Sequence, residues 1–208
     1  PRLNERYRFG IHVEGYNCVR PGLYVAALLR YAESLGATRR TARALGFRSA
    51  GGRITAVATE GGDIPCDEAI ICAGIRSKAL AEAAGERVSL EAERGYHVQI
   101  ADMEPLPRNR LLLMDNKMAN TPSRFGLRIT GHVEFSDTDA PPDWRRAEVI
   151  RDFTIGAYRL DRAPEKIAFW MGRRPSTPDE LPIIGRGTRL PNVIHAFGHG
   201  HIGVASAP

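Results

Sequence analysis

Cysteine is scarce in this chain: Cys18, Cys66 and Cys72 are the only three among 208 residues, and no two of them form a C-x-x-C pair. An odd, unpatterned set argues against a disulfide framework and fits a reducing compartment. Cys72 lies inside the apolar run Ala69-Ile70-Ile71-Cys72-Ala73 and is expected to be a small core residue. Long apolar runs are missing too. Nothing approaches the roughly 18 residues of a membrane span, and no basic segment with an apolar stretch behind it opens the sequence, so export is not indicated. A cytoplasmic location is the expectation. Acidic residues are outnumbered, giving a formal charge of +5, but the excess is arginine in short groups such as Arg39-Arg40, Arg145-Arg146 and Arg173-Arg174. Without a long basic stripe and interleaved aromatics, nucleic acid is not an expected partner. An acidic substrate, a phosphate-bearing cofactor and anionic lipid all remain compatible with that charge.

What is present is ordinary globular texture, 43% hydrophobic and 25% charged. Pro21 to Leu35 reads as a helix: Pro21 suits a first helical position, Leu23, Ala27, Leu28 and Leu35 recur at helical spacing, and Gly36 suits the stop. Arg20 is a poor N-cap. Gly51-Gly52 and Gly61-Gly62 divide short strand-like runs, a hairpin pattern around Ile54 to Thr59. Asp67 to Ala73 is continuously apolar after its acidic start, as a strand buried on both faces should be. It stops at Gly74 before an Ala-rich helical stretch, Ser77 to Ala84. From Gly95 the texture alternates, in Tyr96 to Ile100 and again in Leu127 to Phe135, which predicts antiparallel strands with one covered face. Asp143 to Tyr158 follows as a helix with Trp144, Val149, Ile150, Phe153 and Ile155 on its apolar side, and Ile167 to Met171 as a strand. The fold class expected is α+β, with an α/β lobe over 1–92, an antiparallel sheet with a covering helix over 93–171, and a segment returning to the first lobe over 172–208.

The densest signal is C-terminal. Gly172-x-Arg174-Pro175-x-Thr177-Pro178-Asp179-x-x-Pro182-x-Ile184-Gly185 precedes Gly198-His199-Gly200-x-x-Gly203. Glycine at this density lets main chain approach a flat ligand, and exposed N–H groups in such a loop can face an electron-rich ring. A plain surface loop is the alternative. These segments resemble the C-terminal signature of the D-amino-acid dehydrogenase branch of the FAD-dependent D-amino-acid oxidase superfamily. Asp67-Glu68-Ala69-Ile70-Ile71-Cys72-Ala73-Gly74-Ile75-Arg76-Ser77, Arg94-Gly95-Tyr96-His97-Val98 and the helix Pro21 to Gly36 agree with that family, in its order. Arg20 and Ile75-Arg76 depart from it, standing where Asp and Trp are common.

The resemblance implies an FAD-binding lobe and a substrate domain. It also implies oxidation of a D-amino acid to an imino acid, which water converts to a 2-oxo acid and ammonia. It makes Arg174 the partner of the substrate carboxylate, a role that a planar, permanently charged guanidinium suits; otherwise Arg174 is one of a surface pair with Arg173. Tyr96 and His97 are expected to border the substrate cavity, unless they are ordinary strand residues. Ala73 and Gly74 would lie near the FAD ribose and pyrophosphate, and Gly198, His199, Gly200, Ile202 and Gly203 along the flavin ring. No obligatory general base is expected. His195, His199 and His201 invite a metal reading, but no fourth ligand is evident and no metal is expected. His132 is expected to be a half-exposed sheet residue.

The family's opening strand, G-x-G-x-x-G turn and helix are not found; Gly198 to Gly203 fits the letters, but not after a first parallel strand with an acidic residue about twenty positions on. The sequence is therefore expected to be a fragment lacking that segment and a closing helix. A related glycine, sarcosine or opine oxidase, a catalytically inactive piece that holds no FAD, and a half completed by a complementing subunit stay open. So do oxygen or a quinone as electron acceptor and peripheral contact with the inner membrane.

Overall fold

The computed structural model describes residues 2–15 and 18–206. In chain order the elements are β1 (Arg2–Leu3), α1 (Pro21–Ser34), β2 (Ala44–Ala50), β3 (Arg53–Thr59), β4 (Gly62–Pro65), β5 (Ala69–Ile71), α2 (Ser77–Ala83), β6 (Glu91–Ile100), β7 (Leu111–Leu113), β8 (Met118–Ser123), β9 (Gly126–Phe135), α3 (Arg145–Ala157), β10 (Tyr158–Arg159), β11 (Ile167–Ser176), β12 (Ile183–Arg186) and β13 (Val193–Phe197). Mixed helix and antiparallel sheet is the class expected of the sequence. The chain divides into two units: residues up to Gly10 with Leu90–Thr177, and Ile11–Ser89 with Pro178 onward.

The first unit is an antiparallel sheet in the order β11-β6-β9-β8-β7. Period-two alternation along β6 sends Ala92, Arg94, Tyr96, Val98 and Ile100 to one face, where all are buried. Leu127 and Ile129 of β9 join them beneath α3, with Ala147, Ile150 and Ala157. Each fully buried Val, Leu or Ile here contributes about 1.5–3 kcal/mol. The buried side of α3 is Ala147, Ile150, Thr154 and Ala157; of the residues expected there, Ile150 is buried and Phe153 packs against the core, whereas Val149 is 51% and Trp144 41% exposed. Small residues face the sheet because they let the helix approach it. Strand β11 runs on to Ser176, past the Met171 at which the pattern ends it, pairing with β6 throughout. It is an edge strand, which is why Pro175 is tolerated there.

In the second unit β2-β3-β4 form a meander, so the expected hairpin is there with a third strand added. Strands β12-β13-β5 form another sheet, with β13 and β5 parallel. Asn192 ties the two together. It is buried; its Oδ1 accepts from Ile54 N at 2.9 Å, and its Nδ2 donates to Ile54 O at 2.9 Å and Asp67 O at 2.7 Å. Helix α1 ends where expected: Ala37 N–H reaches Ala32 O and Gly36 N–H reaches Glu33 O, the two bonds of a Schellman stop. Its leucines, however, are exposed, and none of its residues is buried. The strand expected to be buried on both faces is also corrected. β5 has three residues and is an edge strand, with β13 beside it among the described residues; Ile70 is 62% exposed and Cys72 is exposed, while Ile71 is buried.

Candidate functional site

The sheet face opposite α3 carries a cleft of about 180 Å³, lined among others by Gly95, His97, Arg128, Thr130, Trp170 and Arg174. Register explains the grouping. Trp170 pairs with His97, Gly172 with Gly95 and Arg174 with Glu93 across β11 and β6. Thr130 and Arg128 of β9 lie opposite His97 and Gln99. All are the residues that alternation turns away from the core.

Two glycines make the arrangement feasible. A Cβ on Gly172 would lie 2.0 Å from Cη2 of Trp170, and one on Gly95 would lie 2.6 Å from Nη2 of Arg174. Each large side chain therefore rests on bare main chain. Trp170 and His97 stack, with centroids 4.6 Å apart and planes inclined by 22°. Arg174 donates from Nη1 to Oε1 of Glu93 at 2.6 Å, and Ser176 Oγ holds the other carboxylate oxygen at 2.9 Å. Nη2 of Arg128 lies 3.5 Å from Nδ1 of His97. Burial, and then the charge of Arg128, push His97 down to about 4, so it is neutral near pH 7. Burial and the charge of Arg174 lower Arg128 in turn.

Of the substrate-binding candidates, Arg174 and His97 thus meet in one cleft, and Tyr96 differs. Its main chain borders the cleft, but its side chain lies on the covered face. There its hydroxyl donates to Glu134 Oε2 at 2.7 Å and accepts from Asp143 N at 2.9 Å. Burial first, then Glu134, raises its pKa. Arg94, buried beside it, pairs with the same Glu134 at 3.2 Å. His132 is partly buried near Arg146, whose charge, after burial, lowers its pKa; it does not line the cleft. Arg128, Thr130, Trp170 and Glu93 lie outside every motif recognised in the sequence. Their signal was the alternation itself, usable only once the register was known.

In the second unit the parallel register of β5 and β13 aligns Ile71 with His195. Ala73-Gly74 and Gly198-His199-Gly200 therefore leave the same end of one sheet. Carboxyl ends of parallel strands are where α/β sheets take their ligands. Gly74, Gly198 and Gly200 have φ of +57°, +87° and +53°, a conformation open to glycine. Nothing lies within 4 Å of where a Gly74 side chain would start. The loop then folds on itself: a Cβ on Gly203 would be 2.9 Å from that of His199, and Ile202 N–H donates to His199 O at 3.2 Å. Open main chain with turned glycines at this edge fits a flat, anionic cofactor such as FAD. The three histidines are spread out, with His195 buried in β13 against Phe197. Among the described residues no cluster of three His, Cys, Asp or Glu could hold a metal. No described helix is long and apolar enough to cross a membrane.

Comparison with known proteins decides the family. The profile described as DAO, FAD dependent oxidoreductase, matches residues 1–208. This chain belongs to that family. It is 42% identical, over its whole length and 50% of the relative's, to a D-amino-acid oxidase of Bradyrhizobium diazoefficiens. To a D-amino acid dehydrogenase of Methylobacterium radiotolerans it is 30% identical, over 93% of this chain and 47% of the relative. The chain thus spans about half the length of the curated relatives it matches. The DAO-family fold is evident in solved structures as well. Glycine oxidase from Geobacillus kaustophilus superposes with a TM-score of 0.70 at 20% identity, over 86% of this chain and 48% of that one. L-proline dehydrogenase from P. horikoshii gives 0.70 at 19%, over 88% and 51%.

Proposed function

We propose that the protein to which this chain contributes oxidises D-amino acids to 2-oxo acids and ammonia with FAD, the chain supplying the substrate cleft and part of the cofactor's bed. The observation that carries this is the cationic cleft itself, with the family motif's Arg174 laid over Gly95 and braced by Glu93. Membership in an FAD-dependent family and the likeness to a D-amino-acid oxidase support it.

In this reading the remaining N–H groups of Arg174 take the substrate α-carboxylate, and Glu93 holds the guanidinium plane against the strand. The Trp170–His97 stack forms a wall that limits how the amino acid turns, so its α-C–H is presented in one orientation. His97, neutral near pH 7, offers a hydrogen bond without adding charge. Main chain at Ala73, Gly74 and Gly198 to Gly203 would hold FAD, which when bound supplies the hydride acceptor. The α-C–H leaves with its electron pair and the amine loses a proton. Water then adds to the resulting imine and ammonia departs. No side chain of this chain need act as a base. Replacing Arg174 by Leu in the flavin-loaded protein should raise KM for D-amino acids by about a hundredfold, as loss of a charge-assisted fork would. An unchanged KM would remove Arg174 from this role.

A further inference from the structure

One guanidinium in the cleft has a motif to announce it; the second, Arg128, has none. Arg174 is already compensated by Glu93 at 2.6 Å. Arg128 pairs with no carboxylate among the described residues, and its near neighbour His97 is neutral and cannot balance it. Arg173 borders the cleft too, but on the other parity of β11, and it donates to Thr138 O; of the side chains on the cleft's own face, Arg128 and Arg174 outnumber Glu93 by one charge.

Charge counting then separates two kinds of amino acid. A zwitterion with a neutral side chain brings one carboxylate and one ammonium, and leaves the surplus in place. An amino acid with an acidic side chain cancels it. Spacing agrees. The Arg174 guanidinium lies over Gly95 and that of Arg128 beside His97, two strand positions apart, or about 7 Å. A four- or five-carbon dicarboxylic amino acid can place one carboxylate at each. We propose that Arg128 binds the side-chain carboxylate of the substrate, so that dicarboxylic amino acids are the class this cleft prefers. This rests on the reading of Arg174 as the α-carboxylate partner.

Trp170 stacks on His97 and reports the test. Titration of the 208-residue chain, followed by tryptophan fluorescence, should show D-glutamate binding about tenfold or more tighter than D-alanine, the worth of a charge-assisted contact. Arg128→Gln should abolish that preference by weakening D-glutamate about tenfold more than D-alanine, and Arg128→Lys should keep part of it. The proposal is overturned if the wild type shows no preference, if Arg128→Gln leaves the preference intact, or if it weakens both ligands equally. Arg174→Leu separates the two readings. It should weaken both ligands; if D-alanine binding survives it, the α-carboxylate assignment fails, while the Arg128 result keeps its own meaning.

Discussion

His97 and Arg128 share one contact, and Arg128, after burial, makes charge on His97 more costly. For His97 the consequence has a definite sign. Its folded pKa, about 4, lies below the ordinary 6.5, so the folded state binds fewer protons than the unfolded one between those values. The stabilisation is complete above pH 6.5 and is lost as the pH falls through about 4. Melting temperature should therefore drop over that window in the wild type and less in His97→Gln. An NMR titration of the His97 ring with its midpoint near 6.5 would contradict the assignment. The contrast with Tyr96, one residue earlier, was legible in the sequence. Tyr96 shares its parity with Val98 and Ile100, the apolar members of the strand, and His97 shares its own with Gln99. Both residues border the cleft, but the period sends the Tyr96 hydroxyl to Glu134 on the covered face. Arg128 was harder, since nothing local in Leu127-Arg128-Ile129 says which strand will lie opposite.

At the level of elements, the helices and the longer strands were recovered because their stop signals are local, while β7, β8, β12 and β13 were not read as strands. Gly36, Gly74 and the alternating runs act over a few residues. Which face of an element is buried is not local. Helix α3 shows this: Trp144 and Val149 drew attention by size, whereas the sheet accepts Ala147, Ile150, Thr154 and Ala157. Ile150→Ala should cost about 2–5 kcal/mol, and Val149→Ala less than about 0.5 kcal/mol. Chemical denaturation of the two variants checks the face directly, and equal losses would refute it. Strand β5 and helix α1 make the same point from the other side. Apolar composition marked each for burial, but burial needs a partner element, and their own sequence does not name one.

On the scale of the molecule, each unit is assembled from two separated stretches of chain, so no single cut in the sequence outlines either. Helix α1 leaves Leu23, Val25, Leu28 and Tyr31 exposed, apolar side chains of the kind that bind hydrophobic dyes. Leu28→Lys should leave melting within about 0.5 kcal/mol of the wild type and reduce the binding of a hydrophobic dye such as ANS. A large loss of stability instead would mean that Leu28 is packed in solution. The family was legible because its motifs hold glycine and proline at positions where backbone geometry is constrained. The charge arrangement of the cleft was not, since Arg174, Glu93 and Arg128 come from three strands whose register no motif records.

The glycines beneath Trp170 and Arg174 also dictate how this cleft can change. A methyl group on Gly95 or Gly172 would meet the tip of Arg174 or the ring of Trp170, so a substitution there must displace the very side chain that lies on it. A directed-evolution library at Arg128 and Thr130 would vary the β9 wall over an unchanged floor, whereas one that randomised Gly95 and Gly172 would move Arg174 and Trp170 themselves.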